Sequence, residues 1–358
     1  MKAALWYDRE KIKIEEVEEP FAKKGQVKIK VKWCGLCGSD IHEYLDGPIA
    51  IPVSKPHPLS GKTAPVILGH ELSGEIVEVG EGVTKFKVGD RIALEPNVVC
   101  GECNACKEGT YNLCLHIGFH GLCGTGGGFA EFTTYPVDFV HKIPDSISYE
   151  KAALIEPIAV ALHSLEVGNF TVGQSALVIG AGPIGLVTIE ALKAAGAKTV
   201  IVVQRTGLRQ EMAKLAGADV VLDPEKEDVV SKIKEMTDGG VDIAFEVAGT
   251  QSGLDIGLQA LRFAGTFVIT SIWGHEIKFN PNDIVYKEIN MIGTIGSKRN
   301  FPMAIDLMAD GRIKADYCIT KRISLDNIIE EGINTLTGPE KKKHAKIIVT
   351  PEKELLDF

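Results

Sequence analysis

The sequence lacks an apolar run long enough to cross a membrane. Its longest one, residues 176–189, contains three glycines and a proline, whereas a membrane-spanning helix needs about 20 apolar residues. The first eight residues, Met1–Asp8, already carry charge and lack the apolar core of a secretory signal. We therefore expect a cytoplasmic protein that does not bind membranes.

The sequence also lacks an excess of basic residues. Its 39 Lys and Arg against 48 Asp and Glu give a formal net charge of -9, which argues against nucleic acid as a partner. With 45% hydrophobic and 24% charged residues, the composition is that of a folded globular protein. Its 358 residues predict about two domains.

Cysteine is scarce but unevenly placed. Eight cysteines in 358 residues are too few for a disulfide scaffold, yet four of them fall within 15 positions: Cys100, Cys103, Cys106 and Cys114. Four thiolates on a short Gly- and Asn-containing loop, near residues 96–116, can close a tetrahedral shell around one zinc ion. Such a shell leaves no open position and predicts a structural zinc. The alternative is four unrelated cysteines.

The pattern of elements changes near residue 152. Residues 1–151 contain short β segments broken by Gly, Pro and Asp, which predict an antiparallel, barrel-like domain. These segments are Gln26–Trp33, Leu72–Val79, Arg91–Leu94 and Phe129–Tyr135. The tail, residues 300–358, ends in the apolar segment Ala345–Thr350, which we expect to return as a strand to this first domain.

Apolar strands and helices alternate over residues 152–299, which predicts a doubly wound parallel sheet of the α/β class, a Rossmann domain. The six strands are expected at Ser175–Gly180, Val200–Val203, Val220–Leu222, Val241–Glu246, Gly265–Thr270 and Ile289–Thr294.

A glycine-rich turn follows the first of these strands and opens an apolar helix. It is made of Gly180, Ala181, Gly182, Pro183, Ile184 and Gly185. The first glycine permits the tight turn, the second lets the backbone approach a pyrophosphate, and the third allows close packing of helix on strand. Phosphate charge then lies at the N-terminus of the helix. The turn therefore predicts dinucleotide binding.

The end of the second strand distinguishes the two nicotinamide cofactors. NAD sites place Asp or Glu there, whereas this chain has Gln204 followed by Arg205, with Arg209 nearby. An uncharged residue removes repulsion of a 2′-phosphate, and a guanidinium can bind that phosphate. We therefore predict NADP(H) over NAD(H). The alternative is that both arginines lie in solvent and Gln204 still accepts NAD.

Three further motifs lie far apart in the chain. Cys37 stands in residues 34–42, CGLCGSDIH, His70 in Gly69-His70-Glu71, and Glu156 before Pro157. Together with the four-cysteine segment and the glycine-rich turn, in this order, they resemble zinc-dependent medium-chain alcohol and polyol dehydrogenases over essentially the whole chain. The resemblance implies a GroES-like catalytic domain beside the Rossmann domain, with the active site between them.

The resemblance also implies roles for single residues. Cys37, His70 and Glu156 correspond to the ligands of a catalytic zinc, with Glu71 as a neighbouring or transient ligand. Three protein ligands leave a fourth position open, as a catalytic zinc requires. Ser39 corresponds to the hydroxyl that bonds the substrate oxygen, and His42 to the histidine that passes the proton outward. Each residue also has an alternative without function. Cys37 would be a buried free thiol, His70 a core histidine, Glu156 an acid on a helix face and His42 a loop histidine.

The sequences of several loops indicate the class of substrate. Residues 42–49 and the Pro-rich loop up to Pro65, with residues 118–122 and 126–129, most resemble those of the 2,3-butanediol (acetoin) dehydrogenases. A small secondary alcohol, vicinal diol or its ketone is the expected substrate. The alternatives are a sorbitol-like polyol or general secondary-alcohol dehydrogenase and, from another class, a non-catalytic NADP(H)-binding zinc protein. The resemblance implies a homodimer or homotetramer, with residues 289–294 at one interface.

Overall fold

The computed structural model describes residues 1–356. The chain divides into two compact units. The first contains residues 1–156, 301–309 and the chain from 319 onward, and the second contains residues 157–300 and 310–318. Within residues 1–356, none of the helices has both the length and the apolar character needed to span a bilayer.

Residues 1–167 form mainly short strands. The strands are β1 (Lys2–Asp8), β2 (Lys11–Glu16), β3 (Gln26–Gly35), β4 (Val66–Ile67), β5 (Glu71–Val79), β6 (Arg91–Leu94), β7 (Asn97–Val98), β8 (Gly118–Phe119), β9 (Phe132–Pro136) and β10 (Val140–Lys142). The helices are α1 (Gly38–Asp46), α2 (Asn104–Lys107), α3 (Tyr149–Ala152) and α4 (Ile155–Val167). Along β3, buried and half-buried residues alternate up to Trp33, as expected for a strand with one face on a core.

Residues 175–293 alternate strictly between strand and helix. The elements are β11 (Ser175–Ile179), α5 (Pro183–Ala194), β12 (Thr199–Val203), α6 (Leu208–Leu215), β13 (Val220–Leu222), α7 (Val229–Met236), β14 (Val241–Glu246), α8 (Gln251–Ala260), β15 (Leu261–Ile269), α9 (Asn282–Val285) and β16 (Asn290–Gly293). The six strands are parallel and lie in the order β13-β12-β11-β14-β15-β16. This is the doubly wound order and confirms the predicted fold class.

The last part of the chain contains α10 (Phe301–Ala309), β17 (Ile319–Ser324), α11 (Asn334–Thr337) and β18 (Lys346–Thr350). Strand β18 lies between β3 and β17 in a seven-stranded sheet with the main path β10-β6-β5-β3-β18-β17 and with β9 also on β3. The C-terminal strand thus pairs with β3 from the N-terminal part of the chain. This sheet is mixed rather than purely antiparallel, because β17 and β18 run parallel.

Three local features differ from the sequence-based expectation. Strand β15 begins at Leu261, four residues before the predicted start, and passes through a register shift and a positive φ of 55° at Ala264. The strand expected at Phe129–Tyr135 forms only from Phe132. Residues 310–318 group with the second unit, where the Glu190 carboxylate accepts hydrogen bonds from the backbone of Lys314 and Ala315.

Candidate functional site

Cys37 lies where β3 gives way to α1. Its backbone N–H donates to the Asp40 Oδ2 at 3.0 Å, so that Asp40 holds the chain at the N-terminus of the helix. Asp40 is itself completely buried. The Cys37 thiol is therefore fixed at a rigid junction between a central strand and a short helix.

His70 lies between β4 and β5, directly after Gly69, whose φ of 94° favours glycine. The imidazole is buried, with Nε2 at 3.2 Å from the Ser39 Oγ and Nδ1 at 3.7 Å from the Asp40 Oδ1. Burial alone would lower the pKa of His70, but Asp40 and Cys37 beside it raise that pKa well above its ordinary value. The surroundings of this imidazole therefore favour positive charge.

Glu71 forms a buried ion pair that the sequence analysis did not identify. Its carboxylate accepts from the Lys346 Nζ at 2.6 and 2.8 Å, and both side chains are almost fully buried. Lys346 also donates to the Leu36 backbone oxygen at 3.1 Å. The available signal was a lysine at the start of an otherwise apolar strand, Lys346-Ile347-Ile348-Val349.

We expect Lys346→Met to destabilise the protein by about 3 kcal/mol, because it leaves the Glu71 carboxylate buried without its cation. The double variant Lys346→Met/Glu71→Gln removes both charges and should recover most of that loss. Urea unfolding of the three proteins measures the effect. If Lys346→Met were as stable as the double variant, the expected cost of the unpaired Glu71 carboxylate would be contradicted.

The structure brings together three groups suited to a metal ion. The ligand atoms of Cys37, His70 and Glu71 lie within 4.8 Å of one another. Glu156, at the start of α4, is outside this group, but His70, Glu71, Lys346 and Asp40 all act on its charge. Burial raises the pKa of Glu156 to about 7. A thiol, an imidazole and nearby carboxylates form the N, S and O donor set that zinc takes in proteins, so these residues fit a zinc ion.

Ser39 and His42 both lie on α1, but they have different neighbours. Ser39 contacts His70 as described, whereas His42 is half-buried and its Nδ1 lies 3.6 Å from the Asp46 carboxylate. The structure thus places the Ser39 hydroxyl beside His70. His42 stands on the next turn of the helix, and its side chain is 43% exposed.

The four cysteines predicted to bind zinc come together. The ligand atoms of Cys100, Cys103, Cys106 and Cys114 all lie within 4.8 Å of one another. The backbone N–H groups of Leu115 and Cys106 lower the pKa of Cys103 to about 6, which favours its thiolate. Four thiols in one short loop fit a closed, tetrahedral zinc shell.

The glycine-rich turn has the geometry its sequence predicts. Gly180 has a φ of 99°, and a Cβ at Gly185 would lie 2.0 Å from the Gly180 backbone oxygen. Gly182 caps α5, whose first residue is Pro183, followed by Ile184. The turn follows β11 at the point where the strand order reverses between β11 and β14, which is where doubly wound sheets bind nucleotides.

Gln204 and the two arginines lie around this turn. The Gln204 Oε1 accepts from the Ala181 N–H at 2.8 Å, which ties the end of β12 to the turn. Arg205 is 68% exposed and lies 3.7 Å from Glu225. The Arg209 Nη1 lies 3.8 Å from the position a Cβ would take at Gly182. Two guanidinium groups thus follow β12, and between them the Thr206 N–H donates to the Asp223 carboxylate at 2.9 Å.

Known proteins share both halves of this arrangement. Residues 23–145 match the alcohol dehydrogenase GroES-like domain, and residues 183–310 match the zinc-binding dehydrogenase domain. The (R,R)-butanediol dehydrogenase of Bacillus subtilis is 50% identical, over 98% of this chain and 100% of its own length. The sorbitol dehydrogenase of the same organism is 40% identical, over 99% of this chain and 98% of its own.

Solved structures of dehydrogenases are also similar to this chain over nearly its whole length. The crystal structure of 2R,3R-butanediol dehydrogenase from Bacillus subtilis superposes with a TM-score of 0.92 at 50% identity, covering 98% of this chain and 99% of that one. A zinc-binding dehydrogenase from Sinorhizobium meliloti, bound to NADP, superposes with a TM-score of 0.88 at 31% identity and the same coverage. The chain belongs to the zinc-dependent medium-chain alcohol and polyol dehydrogenases.

Proposed function

We propose that the protein transfers hydride between NADP(H) and a small secondary alcohol or vicinal diol, with 2,3-butanediol and acetoin as its substrate pair. The observation that carries this proposal is the joint placement of Cys37, Ser39 and His70, in which the Ser39 hydroxyl lies 3.2 Å from the imidazole. The relative that is 50% identical over its whole length, a butanediol dehydrogenase, supports the choice of substrate.

Cys37, His70 and Glu156 would hold the catalytic zinc, with Glu71 able to approach it as a transient ligand. A zinc ion bound there supplies a Lewis acid that polarises a carbonyl oxygen and lowers the pKa of an alcohol. The buried Asp40 carboxylate lies 3.7 Å from the His70 Nδ1 and would favour the charge of an ion bound by this imidazole. The four clustered cysteines would hold a second zinc with a structural role.

Ser39 and His42 would carry the proton. The Ser39 hydroxyl would accept the proton of the substrate alcohol as it releases its own, and the neutral imidazole of His42, one turn further along α1 and 43% exposed on its side chain, would take up the released proton and give it to solvent. In the reductive direction the same groups return the proton to the new hydroxyl.

The glycine-rich turn and α5 would bind the cofactor pyrophosphate through backbone N–H groups. Arg205 and Arg209 would bind the 2′-phosphate of NADP(H), since no carboxylate stands at Gln204 to repel it. The Sinorhizobium meliloti neighbour bound to NADP supports this assignment.

We also propose a homodimer or homotetramer. Strand β16 pairs only with β15 among residues 1–356, so one edge of the six-stranded sheet is open. Nearby Val285 and Tyr286 are exposed. Two copies could extend the sheet across this edge.

Initial rates with acetoin, sorbitol and 2-propanol test the proposal. We expect kcat/KM to be highest for acetoin with NADPH, and two zinc ions per chain. A higher kcat/KM for sorbitol would favour the polyol alternative. The 40% identity to a sorbitol dehydrogenase supports that alternative. No turnover with any alcohol, despite two bound zinc ions, would leave a non-catalytic NADP(H)-binding protein.

A further inference from the structure

Glu246 is a buried carboxylate to which the proposed chemistry assigns no role. It is the last residue of β14 and is completely buried. Its Oε1 accepts from the Ala248 N–H at 3.0 Å and from the Gly249 N–H at 2.9 Å. Its Oε2 accepts from the Gly249 N–H at 3.2 Å and from the Ser271 hydroxyl. Burial raises the pKa of this carboxyl group, whereas these donors favour its ionised form.

The Glu246 carboxylate joins two loops of the second unit, residues 247–250 after β14 and residues 270–272 after β15. The backbone N–H donors belong to the first loop and the hydroxyl donor to the second. The Glu246 backbone oxygen also accepts from the second loop, from the Thr270 N–H at 3.0 Å and the Ser271 N–H at 3.3 Å. The side chain and the backbone of one residue therefore hold the two loops together.

The loop after β14 packs directly on the glycine-rich turn. The Val247 N–H donates to the Ile179 oxygen at 3.2 Å, one residue before the turn begins. A Cβ at Gly180 would lie 3.0 Å from the Ala248 Cβ. A Cβ at Gly185 would lie 3.2 Å from the Val247 Cγ2. The turn follows β11 and the loop follows β14, so both border the crevice where doubly wound sheets bind nucleotides.

Glu246 acts on this crevice without being part of its surface. Ala248 is exposed and Ile272 is 57% exposed, so each of the two loops presents a side chain to solvent. Glu246 itself has no accessible surface and does not touch a cofactor bound in the crevice. Any effect of Glu246 on cofactor binding therefore acts through the two loops.

Gly253 leaves the space that the carboxylate occupies. It lies in the first turn of α8, and a Cβ there would lie 2.7 Å from the Glu246 Oε1 and 3.0 Å from the Thr250 Oγ1. A larger residue at position 253 would displace the carboxylate. Position 253 thus offers a second way to disturb the contacts of Glu246 without removing its charge.

We propose that Glu246 is a positioning residue for the cofactor, because it holds the loops after β14 and β15 in the conformation that accepts the dinucleotide. Loops that are ordered beforehand do not have to be ordered at the expense of binding free energy. The inference rests on the proposed function and deepens it, since it adds a determinant of cofactor affinity that does not distinguish NADP(H) from NAD(H).

Glu246→Gln tests the proposal with little change in shape. The amide turns one acceptor into a donor, which then faces N–H and hydroxyl donors. If the two loops leave the binding conformation for about nine-tenths of the time, the apparent Kd rises about tenfold. We expect this rise for both NADPH and NADH in fluorescence titrations of the zinc-loaded, full-length protein, with the ratio of the two Kd values unchanged.

Two further measurements separate positioning from a general loss of stability. KM for the cofactor should rise in Glu246→Gln while kcat stays within about threefold, because the loss is in cofactor binding. Amide hydrogen exchange in residues 247–250 and 270–272 of the cofactor-free protein should become faster, because the two loops open more often.

Asp242→Asn is the matched control. Asp242 lies near the opposite end of β14, four residues or about 13 Å from Glu246. Its carboxylate accepts from the Ser175 N–H, the Ser175 hydroxyl and the Arg262 Nε, each at 2.7 Å. The substitution disturbs the same sheet at its other edge, so both Kd values and the exchange of the two loops should stay unchanged.

Gly253→Ala tests the same contacts should Glu246→Gln accumulate poorly. It keeps the charge and every donor, and alanine favours a helix more than glycine does. Because its Cβ displaces the Glu246 carboxylate, we expect Kd to rise by the same factor for NADPH and NADH.

Three results would overturn the proposal. They are unchanged Kd values in a folded Glu246→Gln or Gly253→Ala protein, an equal rise in Asp242→Asn, and a rise for only one of the two dinucleotides. Failure of the proposed function is seen in the unaltered protein instead, which would then prefer NADH or another alcohol, and the Kd comparison needs no alcohol. If the unaltered protein bound neither dinucleotide, the proposed function and this inference would both be wrong.

Discussion

Replacing Cys37 by alanine should lower kcat/KM for acetoin about a thousandfold or more, and His70→Ala should do the same. Both side chains belong to the cluster that we propose to bind the catalytic zinc. Loss of a Lewis acid removes several kcal/mol of transition-state stabilisation, and each 1.36 kcal/mol is a factor of ten. Zinc content should fall from two ions per chain to one, and NADPH binding, measured by fluorescence, should persist.

Cys34→Ala is the matched control for Cys37→Ala. Cys34 lies three positions earlier and is completely buried, but it lies outside the group of possible metal ligands. Its substitution should leave zinc content at two and kcat/KM within a few-fold. Full turnover in Cys37→Ala/His70→Ala, or an unchanged zinc content, would contradict the proposed catalytic zinc.

The Rossmann domain could be predicted almost completely from the sequence because its signals are local. Parallel strands buried on both faces read as continuous apolar runs, such as β11 and β12, and each helix follows within a few residues. The glycine-rich turn is equally local, since all its demands on φ and close approach fall between Gly180 and Gly185. The strand bounds of this domain were therefore predicted to within one residue, except at the start of β15.

The candidate zinc ligands could not be predicted from local sequence patterns. Cys37, His70 and Glu156 are far apart in the sequence, and only the resemblance to a known family linked them. The structure shows why spacing alone could not, because the approach of Cys37 and His70 depends on the pairing of β3 with β5 and on the position of α1. The same long-range packing brings Lys346 to Glu71 across 275 residues, and no local pattern predicts that pair.

The sequence analysis mainly missed the burial of acidic side chains. Asp40 and Glu43 both lie on α1 and are almost fully buried, and the buried ion pair of Glu71 was not predicted either. In the sequence they look like ordinary surface carboxylates, because their partners are backbone N–H groups or residues distant in the chain. Of these acids, Asp40 lies beside His70 and favours a positive charge there.

We expect a large preference for NADPH over NADH, and we expect Gln204, Arg205 and Arg209 to determine it. Gln204 already uses its Oε1 to accept from the Ala181 N–H, so an isosteric glutamate can keep that bond while adding negative charge. Arg205 is 68% exposed and therefore available to a phosphate. Each charge-assisted hydrogen bond contributes about 1.5–3 kcal/mol, so two of them predict a preference for NADPH of about a hundredfold or more.

Gln204→Glu/Arg205→Ala should therefore reverse the preference, changing the kcat/KM ratio of NADPH over NADH about a thousandfold in total. The new carboxylate repels the 2′-phosphate and can accept from the ribose hydroxyls of NAD, while the lost guanidinium no longer binds the phosphate. Arg312→Ala, at an exposed arginine of the second unit paired with Asp310, is the control and should leave the ratio unchanged. If the unaltered protein already uses NADH as well as NADPH, these arginines do not select the cofactor, and Gln204 accepts NAD despite the missing carboxylate.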